Sequence, residues 1–233
     1  VGTNAAFMQA VLIGVVNVAF TIVAMLTIDK WGRKPLLLIG LTGVVISMAI
    51  CTYGFKQATY QVQQTEITEL SQESPSVAAK LTPLIKETYY SDVSFKRALK
   101  AVLTSSEYDT YQQPLLTSSI TMNAPLVLFG IIAFVASFAM SLGPVMWAML
   151  AEIFPNQTRA LAISLVGMVN SLTSFLVQMV FPWELANLGA AATFAIYGGF
   201  ALVSLILVAK LFPETKGRSL EDITKDFEQF ATK

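Results

Sequence analysis

Five stretches of this chain, at residues 5–28, 36–55, 124–150, 161–181 and 188–212, each run twenty residues or more with predominantly apolar side chains. A helix needs about 20 such residues to cross the hydrocarbon core of a bilayer. In lipid every backbone N–H and C=O must be satisfied inside the protein, so a single segment of this kind spans as a helix. The expected fold class is therefore all-α, a polytopic membrane helix bundle of about five transmembrane helices. Composition agrees, with 13% charged residues and 55% hydrophobic, against about one quarter charged in soluble domains.

An odd number of spans puts the two ends of the bundle on opposite sides of the membrane, and Lys and Arg in short loops decide which side is which. Lys30, Arg33 and Lys34 follow the first span, Arg159 the third, and Lys210, Lys216 and Arg218 the fifth, whereas the loop after the fourth offers only Glu184. This places the first and third loops and the tail 213–233 in the cytoplasm, and Val1 outside, in a multi-pass protein of the cell (inner or plasma) membrane. The tail carries Leu220, Ile223, Phe227 and Phe230 at helical spacing, the pattern of a surface helix. The chain starts at Val1 with no basic region and cleavage site before the first span, and it is read as a piece of a longer one.

The division that follows is 1–55 with two spans, 56–122 as an extracytoplasmic loop insertion, 123–212 with three spans, and the tail. Segment 56–122 is the soluble-looking part, mixed in charge. Val77, Leu81, Leu84 and Ile85 after Pro75, and Phe95, Leu99 and Val102 after Ser91 and Asp92, suggest two short amphipathic helices in a small cap on the outer mouth.

Several function classes lose their support. Formal net charge is zero with no basic block, so no nucleic-acid partner is expected. The chain has one cysteine, Cys51, and no histidine, so no metal and no cofactor is expected. No nucleophile with an adjacent base suggests an enzyme. No Asp or Glu lies in the middle of a span, which places any proton relay elsewhere. Asn156-Gln157-Thr158 fits a glycosylation acceptor, but it falls on the side assigned to the cytoplasm and is taken as a chance match.

The constructive signal is Gly143 to Arg159, GPVMWAMLAEIFPNQTR. Pro144 removes a helix N–H and pushes on the carbonyl of Met140, and a freed carbonyl in lipid needs a polar interior to face. The third span is thus expected as a bent helix, with Gly143 and Pro144 at the bend and Trp147 one turn on. An indole packs on the C–H face of a sugar and donates a hydrogen bond through its N–H. Gln9, Asn17 and Thr21 share a stripe of the first span, and Asn170, Ser174 and Gln178 one of the fourth. Such stripes face the bundle interior, as packing contacts or as a binding surface. Asn17 and Asn170, near mid-membrane, suit the hydroxyls of a neutral ligand. At the expected cytoplasmic face, Asp29, Arg33, Glu152 and Arg159 could pair between helices as a latch that opens and re-forms. Gly32 stops the first helix and Pro35 suits the first turn of the next.

Four motifs, Asp29-Lys30-Trp31-Gly32-Arg33-Lys34-Pro35, Gly143-Pro144-x-x-Trp147, Glu152-Ile153-Phe154-Pro155-x-x-x-Arg159 and Pro213-Glu214-Thr215-Lys216-Gly217, together resemble the sugar porter family of the major facilitator superfamily. Within it the run from Gly14 to Pro35 looks most like bacterial xylose/proton symporters. The resemblance implies that the chain is helices eight to twelve of a twelve-helix transporter, its N-terminal half missing. It implies a monosaccharide, pentose or hexose, as substrate, protons as coupling partner, and the lipid bilayer as setting. It carries substrate contacts to Asn17, Trp147 and Asn170. It carries a charge network that ties the halves together to Asp29, Arg33, Glu152 and Arg159. Ser171 and Ser174 stand where relatives often have Trp and Asn, implying a roomier pocket, and 56–122 is longer than the usual outer loop. Passive facilitation and a non-transporting sugar sensor are the alternatives on the same fold.

Overall fold

The computed structural model describes residues 3–217. The surface helix expected in the tail, around Leu220 to Phe230, lies outside the described residues. In chain order the elements are α1 (Thr3–Trp31), α2 (Arg33–Lys56), β1 (Thr59–Tyr60), α3 (Gln64–Glu73), α4 (Pro75–Leu81), a 3-10 turn (Thr82–Lys86), α5 (Asp92–Val102), α6 (Ser105–Ser119), β2 (Ile120–Thr121), α7 (Ala124–Met140), α8 (Leu142–Ile153), α9 (Arg159–Asn187) and α10 (Ala190–Leu211). Among the described residues five segments are long and apolar enough to cross a membrane, the third being α7 and α8 together.

Two expectations about the spans are corrected. The third is not one bent helix. It is interrupted at Ser141, at φ −133° and ψ −78°, which puts Pro144 in the first turn of α8, where its missing N–H breaks no helical hydrogen bond. The Ser141 hydroxyl donates to the carbonyl of Ser137 at 2.9 Å, and the Ser141 carbonyl accepts from Val145 N at 2.9 Å, so the interruption leaves these groups satisfied. The fourth span does not stop before Pro182. Losing one N–H there does not end the helix, which continues to Asn187 and leaves only Leu188 and Gly189 before α10. Glu184 is therefore in the last turn of α9 rather than in a loop, and it accepts a hydrogen bond from the Tyr197 hydroxyl of α10 at 3.0 Å.

Helix α2 is the hub, packed against both α10 and α7, and α7 in turn meets α1. Lipid tails are as apolar as leucine, so helices in a bilayer associate through close backbone approach rather than through escape from water. Gly40 of α2 supplies that approach, since a Cβ there would overlap the buried Ser141 side chain. Leu36, Leu37, Val145 and Met149 close the core near Arg33, and Val44, Met48 and Ala201 continue it. Helix α9 differs, with no buried residue along its length.

Residues 57–122 form more than the two short helices expected. Four helices enclose a core in which Phe95, Leu81 and Leu99 are fully buried alongside Val62, Tyr60 and Leu115. Outside the bilayer these side chains leave water, each contributing about 2 kcal/mol. The ends of the segment meet as a two-stranded antiparallel ribbon, Thr59 opposite Thr121 and Tyr60 opposite Ile120. Helix α6 shows how a polar sequence becomes a helix. The Glu107 carboxylate reaches back to Thr104 N at 2.8 Å and to its hydroxyl at 2.7 Å, the acidic half of a capping box.

Candidate functional site

At the end of the bundle away from α3–α6, the turn between α1 and α2 depends on Gly32, at φ +93° and ψ 164°. A side chain there would be strained, and its Cβ would lie 2.7 Å from a Glu214 oxygen. With no side chain at the N-cap, the carboxylate of Glu214, from the strand of chain after α10, takes over. It accepts from Arg33 N at 3.0 Å and Lys34 N at 3.2 Å, two of the donors that a helix start leaves unpaired.

This fixed start aims Arg33 across to α8. Its Nη2 lies 2.7 Å and its Nε 3.0 Å from Oε1 of Glu152. The other Glu152 oxygen accepts from the hydroxyl of buried Thr215 at 2.8 Å. One carboxylate thus joins the second span, the third span and the exit of the fifth. Asp29 adds a contact at 3.1 Å to Arg33, but its side chain is 80% exposed, so water screens much of that pair. Lys216 closes the set, its Nζ donating to the carbonyl of Lys30 at 2.5 Å.

Of the four residues expected in the charge network, the structure brings Asp29, Arg33 and Glu152 together. Arg159 has its Nε on the carbonyl of Phe154 at 3.2 Å instead. Sequence reasoning missed Glu214, Thr215 and Lys216 as members. Their signal was present in Pro213-Glu214-Thr215-Lys216-Gly217, read only as the exit of the last helix.

The residues expected to hold substrate lie on three helices. Trp147 is on α8, two turns from the break at Ser141, and 42% exposed. Asn17 on α1 and Asn170 on α9 are both exposed. The stripe Asn170, Ser174 and Gln178, with Ser171, Phe175 and Met179, lines a shallow groove of about 630 Å³. The structure brings these helices together through α8, which contacts both α1 and α9. It places none of the three side chains against another. Gly143 and Pro144 are half-buried in the first turn of α8. Thr21 turns its hydroxyl to the Asn17 backbone carbonyl at 2.8 Å and lies 3.5 Å from the Asn17 side-chain oxygen, which keeps it on its own helix.

Comparison with known proteins covers nearly the whole chain. The family model described as "Sugar (and other) transporter" matches residues 1–71 and 108–227. The D-xylose-proton symporter of Escherichia coli (strain K12) is 28% identical over 243 residues, which is 99% of this chain and 37% of that protein. The facilitated glucose transporter member 10 of Xenopus tropicalis, of solute carrier family 2, is 28% identical over 255 residues, 99% of this chain and 45% of that protein. Among solved structures, the proton:xylose symporter XylE bound to 6-bromo-6-deoxy-D-glucose matches 97% of this chain and 35% of its own, with a TM-score of 0.64 and 26% identity. This chain therefore spans less than half the length of these relatives. Residues 72–107 fall outside the family model.

Proposed function

The chain belongs to the sugar porter family of the major facilitator superfamily, and on that premise we propose that it is the C-terminal part of a monosaccharide transporter working by alternating access. The observation that carries this reading is the position of α8. It starts at the Ser141 break, bears Trp147, and touches both the helix of Asn17 and the helix of Asn170. An aromatic side chain on a helix that adjoins two carboxamide-bearing helices suits a polyhydroxylated ring, which offers C–H faces and hydroxyl edges together.

In this reading Trp147 stacks on a pentose or hexose, and Asn17 and Asn170 hydrogen-bond its hydroxyls. The remaining wall of the cavity comes from the N-terminal half of the same transporter. Arg33, Glu152 and Asp29 hold the cytoplasmic ends of three spans together in one of the two states. Arg159 stands ready to pair across to the other half. Sugar affinity that differs between the states moves the equilibrium. Proton symport is the proposed coupling. With no carboxylate at mid-span in this half, the proton carrier would belong to the other half. That same absence favours passive facilitation as the second reading.

Uptake of labelled pentoses and hexoses into vesicles carrying the full-length parent, with and without an uncoupler, tests this. Concentrative uptake lost with the uncoupler and in Trp147→Ala is the expected result. Uptake that only equilibrates and ignores the uncoupler gives the facilitator. Saturable sugar binding without uptake gives a sensor and ends the transport reading.

A further inference from the structure

Helix α9 carries the Asn170 stripe yet has no buried residue, and its neighbours in the bundle are α10 and α8. Its far end is held more firmly. Lys96 of α5 donates to the carbonyl of Leu185, in the last turn of α9, at 3.1 Å, and to Oδ2 of Asp92 at 3.0 Å. Asp92 and Lys96 are each only 14% exposed, so this is a contact drawn out of water rather than a floating surface pair.

Asp92 also lies against Gly189, the N-cap of α10, whose N–H donates to the carbonyl of Glu184 at 3.2 Å. Gly189 has φ +84°. A Cβ there would sit 2.5 Å from Oδ1 of Asp92 and 3.1 Å from Cγ2 of Val93. Only glycine allows both that conformation and that approach. The charges match the ends they meet. The C-terminus of α9 carries partial negative charge and unpaired carbonyls, and it receives the ammonium. The N-terminus of α10 carries partial positive charge, and the Asp92 carboxylate lies beside it at Gly189.

We propose that Asp92 and Lys96 clamp the α3–α6 domain onto the α9–α10 turn, so that the domain and the outer end of α9 move as one body while sugar is carried. This rests on the transport reading for its consequence, though not for its geometry. The ribbon of β1 and β2 fastens the domain to the ends of α2 and α7. Stacking of Phe55 on Phe194, 5.3 Å between centroids, ties α2 to α10 beside it. The domain thus extends the rigidity of α2, α7 and α10 to the helix that lacks packing of its own. Asp92 and Lys96 are positioning residues, acting on the movement of α9 during the cycle rather than on a sugar contact.

The test uses the full-length parent in membranes on a cysteine-free background. Lys96→Cys with Leu185→Cys is bridged by a bifunctional methanethiosulfonate of lysine length. The expected result is high bridging yield, equal with and without saturating sugar, and a bridged transporter that keeps at least half its uptake. Yield that collapses in one condition, or bridging that stops uptake, overturns the clamp. Separately, Lys96→Met is expected to lower maximal uptake per inserted transporter about fivefold with KM little changed, and Lys96→Arg to restore it. Loss of inserted protein alone, with normal turnover, would make the contact merely structural and overturn the positioning role. A parent that moves no sugar would sink the transport reading. The clamp would then be decided by yield, high supporting it and low overturning it.

Discussion

The carboxylate of Glu214 caps the helix that begins at Arg33, accepting from Arg33 N at 3.0 Å and from Lys34 N at 3.2 Å. The chain leaving the fifth span therefore supplies the N-terminal cap of the second. Removing a capping side chain costs about 1 kcal/mol. Glu214→Ala should lower the melting temperature of the detergent-purified transporter, and Glu214→Gln, which still offers one acceptor oxygen, should lower it less. Equal melting of all three proteins would show that the cap contributes nothing.

Arg33 and Glu152 are expected to couple. Their side chains are 16% and 32% exposed, so the pair is partly screened, and a double-mutant cycle should return about 1 kcal/mol. Each single alanine variant should slow uptake more than it weakens sugar binding, because the pair stabilises one state of the cycle. Wild-type uptake by Arg33→Ala would remove the latch.

Trp147→Ala should weaken sugar binding most among the three proposed contacts, since it deletes both a stacking face and a donor. Asn17→Ala and Asn170→Ala should each cost about 1 kcal/mol, one net hydrogen bond. Equilibrium binding of the transported sugar measures all three. An Asn17→Ala protein with undiminished affinity would take α1 out of the site.

Residues 57–122 should fold when produced alone, since their core is closed upon itself and their ends meet in the ribbon. Circular dichroism should show helix and a cooperative melt. Phe95→Ala should destabilise it by about 3 kcal/mol, the cost of truncating a fully buried aromatic. A random-coil spectrum for the parent segment would show that the bundle is needed to hold it.

The same segment carries an acid signature. The hydrogen bond from Lys80, then those from Thr104, hold the Glu107 carboxyl down at about 2 from an ordinary 4.5. A carboxylate with a depressed folded value stabilises the fold above its unfolded value, and that contribution fades as pH falls from 4.5 toward 2. Glu107→Gln should flatten the stability profile across that window. A profile identical to the parent's would rule out Glu107 as its source.

Spans were legible because membrane helices announce themselves by length and apolarity, and all five stretches became helices. Their ends were less so. The bend expected at Pro144 and the end of the fourth span expected at Phe181 both moved, since Pro144 falls in the first turn of a new helix and Pro182 inside a continuing one. The actual break, at Ser141, rests on a hydroxyl turned back to Ser137 and on the space left by Gly40, which no local pattern reveals. Helices α3 and α6 were missed because they are polar along most of their length, although Thr104-Ser105-Ser106-Glu107 spelled a capping box. In the candidate site, Arg33 and Glu152 could be paired from sequence because both had to lie at one membrane face. Glu214 and Thr215 come from 180 or more and 63 residues away from their respective partners, and only the fold brings them there.

The ribbon of Thr59 with Thr121 has an engineering consequence. Opposed residues in an antiparallel pair lie about 5 Å apart, so the chain departs from the bundle and returns to it through nearly the same point. The two spans on either side do not depend on how much chain lies between. The position is a natural port, where a fluorescent protein or an affinity module with adjacent termini can be exchanged for the native segment without shifting the register of α2 against α7.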